Sequence, residues 1–247
     1  MLATEKECFM FLFSTLLSVS EETTELVKWI SVGGVIVLLA LIALIGRFGK
    51  TRSSAKEVAF AGICVAMSFT LAVLKAPIFV QTGGSVTLAS FVPIMIYAYV
   101  FGPTKGFVVG LVHGLLNFIE DPYILTPATF VFDYLLAFMS VGVMGFFGKM
   151  RRKERGILPI VLGAVCVFSI RFVSHLLSGM IFFDTFGASS GFPAWATANS
   201  FVYSFIYQCT YIPADALIAT GVMIALCKSG AFDQLIKIMN PKTKENN

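Results

Sequence analysis

Charged side chains are scarce in this chain. Asp, Glu, Lys and Arg make up 13% of its 247 residues, against 57% that are hydrophobic. A soluble domain of this length does not have so little charge, which excludes a water-soluble enzyme or a nucleic-acid-binding module. Histidine is rarer still, with only His113 and His175. No His-Glu-x-x-His pattern contains them, so a zinc protease lacks its ligand set. A Walker A loop is also missing, and with it ATP hydrolysis by that route. The five cysteines, Cys8, Cys64, Cys166, Cys209 and Cys227, form no Cys-x-x-Cys pair. They read as small buried hydrophobes, not as a metal or redox site. Neither low-complexity sequence nor an inverted repeat is visible, and the missing repeat disfavours a secondary carrier built from two halves.

Long apolar runs are what the chain does have. Leu26 to Gly46 is long enough to span a bilayer, which takes about 20 residues. Six further spans are expected near 57–75, 86–101, 106–119, 127–147, 157–183 and 200–226. The second starts from the Gly-rich stretch Thr82-Gly83-Gly84-Ser85, and the third is short. Residues 1–24 carry one run, Cys8 to Val19, too short to span, and lack the clear basic start of a cleaved leader. The organisation expected is an N-terminal segment, 1–50, with an extra transmembrane helix at 26–46. A six-helix membrane domain follows at 51–230, then a tail at 231–247 that is mildly amphipathic over 231–239.

The basic residues orient this unit. Arg47, Lys50, Arg52 and Lys56 precede the first of the six spans, and Lys105 lies in the second turn. Lys149, Arg151, Arg152, Lys153 and Arg155 separate the fourth and fifth spans. Lys228, Lys237, Lys242 and Lys244 follow the last. The intervening loops 76–85, 120–126 and 184–199 contain no Lys or Arg. By the positive-inside rule both ends of the six-helix unit are expected in the cytoplasm. Glu21, Glu22 and Glu25 then lie outside, before the extra helix.

Against that apolar background the polar residues inside spans become informative, because each is costly unless it faces a partner or a cavity. A rise of about 1.5 Å per residue puts Asp133 roughly 9 Å, and His175 and Gln208 roughly 12 Å, below the outer ends of three different spans. Tyr203 lies near ~5 Å. If these side chains face inward, they line one outer-half cavity. His113, Asn117 and Glu120 share a helix face and read equally as interhelical hydrogen bonding or as pocket. Arg171 and Asp215 sit near mid-membrane and are expected to pair structurally. Tyr123, Tyr134, Phe183, Trp195, Tyr203 and Tyr207 supply aromatic surface, suited in part to a flat cationic ligand. Ala55, Ala59, Gly62 and Ala66 form a small-residue stripe on the first helix of the six, open either to a partner or to packing within the chain.

Several of these residues fall in motifs. They are Gly83-Gly84-Ser85-Val86-Thr87-Leu88 with Val92-Pro93, Tyr123-Ile124-Leu125 with Asp133-Tyr134, Arg171 to Gly179, and Tyr203-Ser204. Together, over about residues 55–227, they resemble the thiamine-specific substrate-binding subunit, or S component, of energy-coupling factor transporters. The resemblance implies an all-α six-helix membrane subunit that is not an enzyme and needs no cofactor. It would capture thiamine, or a related pyrimidine or thiazole compound, from outside. It would then associate with a transmembrane coupling subunit and two cytoplasmic ATPases. By position, the pocket would comprise Tyr123, Asp133, Tyr134, His175, Gly179, Phe183, Tyr203 and Gln208. Asp133, Phe183 and Gln208 depart from the family's Glu, Trp and Asn. An S component for another vitamin remains the nearest alternative. A stand-alone carrier relaying protons through Asp133 or His175 is the alternative of a different class.

Overall fold

Ser54 opens the first long helix. Its side chain accepts from the Glu57 amide at 3.3 Å, and the Glu57 carboxylate accepts from the Ser54 amide at 3.0 Å. This reciprocal box satisfies two amides that a helix start leaves without partners. Beyond the isolated positions 33 and 36, the computed structural model describes residues 53–77, 85–121, 126–154, 157–186 and 192–239. The expected helix 26–46, the segment 1–24, Gly83, Gly84 and Tyr123 lie outside the described residues.

The helices are α1 (Ala55–Val73), α2 (Phe91–Phe101), α3 (Pro103–Glu120), α4 (127–154), α5 (Leu158–Phe186), α6 (Ser200–Lys228) and α7 (Ala231–Met239). Two short antiparallel strands, β1 (Lys75–Pro77) and β2 (Ser85–Thr87), lie between α1 and α2, with Ala76 opposite Val86. Among the described residues, α1, Ala128–Gly148 of α4, Leu158–Ile181 of α5, and α6 are long and apolar enough to cross a membrane. The architecture is that of an all-α membrane protein.

One expected span is corrected. A helix over 86–101 was expected, but α2 starts only at Phe91 and residues 85–87 are a strand. Eleven helical residues rise about 16 Å, roughly half the hydrocarbon core. Positions 91 to 100 of α2 are all buried. Residues 85–87 of that path are extended chain, and β-branched Val86 and Thr87 favour it. Ala89 turns the chain into α2 with φ 57°, a left-handed conformation that a non-glycine residue seldom takes. Ala89→Gly is therefore expected to leave thermal stability unchanged or raise it by up to about 1 kcal/mol, and Ala89→Val to lower it, in detergent melts.

The third span also differs from expectation. Pro103 sits at the first position of α3, where its missing N–H costs nothing, and carries the helix to 18 residues. Gly106, Gly110 and Gly114 then bring α3 against α4. A Cβ at Gly110 or Gly114 would meet the backbone carbonyls of Phe138 and Tyr134. Small residues at such spacing are how membrane helices approach closely. This contact fixes the height at which α4 presents Asp133. At the other end, Gly230 (φ 75°) turns the chain into α7, whose Phe232 is buried edge-on to Tyr99 at 5.3 Å.

Candidate functional site

The path of α4 is irregular where it matters. Pro127–Phe130 is α-helical, Val131–Leu136 is a π-helical turn, and Ser140–Val143 tightens to a 3-10 turn. A π turn carries one extra residue and re-aims the side chains around it, and such turns recur at functional sites. Asp133 lies in this turn.

Asp133 meets α5. Its Oδ1 is 2.8 Å from His175 Nδ1, and its Oδ2 accepts from the Ser178 hydroxyl at 2.5 Å. Ser174, on the same face of α5, donates to the Phe132 carbonyl at 2.6 Å. Both carboxylate oxygens are thus engaged by the protein. Ser178 was not expected at the site, although its i+3 spacing from His175 put it within reach. An Asp133–Nδ1 bond fixes the ring, so His175 presents Nε2, a buried atom without a hydrogen-bond partner among the described residues.

α6 closes the next side. Gln208 donates from Nε2 to the His175 carbonyl at 3.1 Å and accepts through Oε1 from the Tyr211 hydroxyl. Ser204 donates to the Leu176 carbonyl at 2.7 Å. Gly179 permits this approach, since a Cβ there would run into Ser204. Gly179→Ala is expected to separate α5 from α6 and cost about 1–3 kcal/mol, read as a lower melting temperature in detergent.

The aromatic residues form a ladder up α6. Tyr203 and Tyr207 stack at 6.1 Å with rings 4° apart, and Tyr207 meets Tyr211 at 5.6 Å. Phe183 and Phe192 flank Tyr203 at 5.5 and 5.9 Å, while Tyr211 faces the His175 ring at 6.3 Å. Tyr207 and Tyr211 join the group at i+4 and i+8 from Tyr203, a spacing visible in the sequence. Tyr134 turns elsewhere. Its ring packs on Phe118 and Phe130, and its hydroxyl donates to the Asp121 carbonyl at 2.6 Å.

The remaining polar residues sort by partner. Arg171 Nη1 lies 2.8 Å from Asp215 Oδ2, and both side chains are buried. The guanidinium also lies over the Phe91 ring at 4.4 Å and near Phe138 at 5.7 Å. Such contacts ease the burial of a cation. His113 is fully buried with its ring edge-on to Phe138 and Phe91, and neither ring nitrogen has a hydrogen-bond partner among the described residues, so the expected interhelical hydrogen bond is not formed there. Glu120 instead meets Lys75 at 3.0 Å, and Asp121 meets the same amine at 2.9 Å. Lys75, just before the loop 76–85, is thereby neutralised at that end of the bundle. Ala55, Ala59, Gly62 and Ala66 are all exposed, and a Cβ at Gly62 would touch nothing within 4 Å.

Known proteins resemble this chain in sequence and in fold. The sequence model of a family described as Thiamine transporter protein matches residues 58–233. The Thiamine transporter ThiT of Bacillus subtilis (strain 168) is 32% identical over 152 residues, covering 58% of this chain and 75% of that protein. Among solved structures, ThiT from Listeria monocytogenes superposes with a TM-score of 0.55 at 20% identity. That match covers 76% of this chain and 94% of the other, and it speaks for a shared fold.

Proposed function

The chain belongs to the thiamine transporter protein family, and from that premise we propose that it is the substrate-capture S component of an energy-coupling factor importer. Its ligand is thiamine or a closely related pyrimidine or thiazole compound. The observation that carries this reading is the Asp133 carboxylate, half-buried between His175 and Ser178 beside the Tyr203–Tyr207–Tyr211 ladder. A half-buried anion next to stacked rings suits a flat cation. The carboxylate supplies Coulombic attraction at low dielectric, and the rings supply stacking and cation–π contact. His175 Nε2 offers the ligand a directional polar contact.

Asp133 is one methylene shorter than the family's Glu, and its carboxylate, held by His175 and Ser178 of α5, acts alongside His175. Phe183 brings less stacking area than Trp, and the neighbouring Tyr203 and Phe192 rings add to it. The decisive experiment is calorimetric titration of the detergent-solubilised protein with thiamine, together with mass spectrometry of whatever small molecule co-purifies. Tight thiamine binding is expected. A different co-purified vitamin, with no heat from thiamine, overturns the ligand assignment.

The transport cycle needs partners, because capture alone does no work. Both ends of the six-helix unit face the cytoplasm in this reading, and the site opens outward. The exposed stripe Ala55, Ala59, Gly62 and Ala66 docks the transmembrane coupling subunit, which brings two cytoplasmic ATPases. Support comes from its smoothness and from its exposure on α1. Among the described residues a Cβ at position 62 meets nothing within 4 Å, so Gly62→Leu is expected to abolish ATP-dependent thiamine uptake while calorimetric binding to the isolated subunit stays intact. Loss of both would assign the stripe to internal packing. Uptake that continues without any ATPase partner would favour a stand-alone carrier.

A further inference from the structure

β2, Ser85–Thr87, is extended and reaches into the bundle, with Val86 buried. Non-helical backbone at membrane depth is tolerated only where protein buries it or where it lines a cavity. Here β2 is tied to the centre of the bundle. The Thr87 amide donates to Asp215 Oδ1 at 2.8 Å, and the Thr87 hydroxyl lies 3.3 Å from the same oxygen. That hydroxyl also shares a hydrogen bond with Ser90 at 2.8 Å, and the Ser90 carbonyl accepts from Ser68 of α1. The other Asp215 oxygen holds Arg171.

Two facts connect this anchor to the candidate site. Arg171 lies one helical turn from His175 on α5, and Asp215 lies one turn from Tyr211 on α6. The opposite strand is tied to α3 and α4, because Lys75 of β1 binds Glu120 and Asp121, and the Asp121 carbonyl accepts from Tyr134. A mid-membrane ion pair needs only each other's charges. Asp215 does more, spending one oxygen on Arg171 and the other on a strand amide from a distant part of the chain.

We propose that Asp215 is a positioning residue for the ligand site, holding the strand Ser85–Thr87 against α5 and α6 so that the outer-half pocket keeps its shape. The inference rests on the ligand reading above, and its test separates the two. A charge-free background removes the stability effect of stranding an ion. Arg171→Met/Asp215→Leu deletes the acceptor for Thr87, whereas Arg171→Met/Asp215→Asn keeps an oxygen there.

Thiamine release should be about tenfold faster from the Leu double variant than from the Asn one, the scale of one lost hydrogen bond. Amide exchange in peptides spanning Ser85–Leu88 should be faster too, at matched melting temperature. Equal release rates and equal exchange in the two variants would overturn the proposal. Faster exchange with unchanged thiamine release would overturn the link to the site. A wild-type protein that binds no thiamine, yet whose variants differ in exchange, would sink the ligand reading and leave the anchor standing.

Discussion

Arg171→Met is expected to destabilise the protein more than the double variant Arg171→Met/Asp215→Leu. Removing the guanidinium leaves the Asp215 carboxylate in the bundle core, where its side chain is 2% exposed. An uncompensated buried charge costs about 3–5 kcal/mol, whereas replacing both members by apolar residues of similar volume is often far milder. Asp215→Leu alone strands Arg171, whose Nε has no hydrogen-bond partner among the described residues. Its contacts with Phe91 and Phe138 soften that loss, so this variant should fall between the other two. The measurement is a double-mutant cycle on thermal melts in detergent. Additive losses would show that the 2.8 Å contact carries no coupling.

Asp133→Asn is expected to cost about 2–4 kcal/mol in thiamine binding, the range for removing one charge of a buried complementary set. That corresponds to roughly 30-fold to 1000-fold in Kd. The amide can keep one acceptor for Ser178 or His175, so the fold should survive. Ser178→Ala removes one of the two bonds to the carboxylate and is expected to cost about 1 kcal/mol in the same titration. Asp133→Asn that binds thiamine with unchanged affinity would assign the carboxylate to α4–α5 packing alone. Calorimetry must be paired with a melting curve, because Asp133 also joins two helices.

Much of the architecture was legible in the sequence because membrane constraints act along the chain. Apolar length marks a helix, and the lysines and arginines cluster in alternate loops whatever the helices do in three dimensions. The mid-membrane pair was legible for a similar reason. Two ionisable residues at one depth, Arg171 and Asp215, have few other ways to be satisfied. Asp133 and His175 were found by depth, and they meet at 2.8 Å.

Hydropathy was least informative where a segment is buried on all sides. Phe91 to Val100 is equally apolar whether helix or strand precedes it, so the sequence did not show that residues 85–87 are extended. The partner of the Thr87 amide lies 128 residues away, and no local signal names it.

Sequence alone determined the membrane class and set the expected orientation and the expected depth of each polar side chain, since these follow from one-dimensional hydropathy, charge and helical rise. Tertiary structure decided which polar atoms are left for a ligand. Gln208 is taken up by His175 and Tyr211, both Asp133 oxygens by His175 and Ser178, and Tyr134 by Asp121. Hydrogen bonds saturate, so a residue's availability depends on what the fold places within about 3 Å of it. That distance is set by the π turn at Asp133, the glycine contacts of α3 with α4, and the close crossing at Gly179.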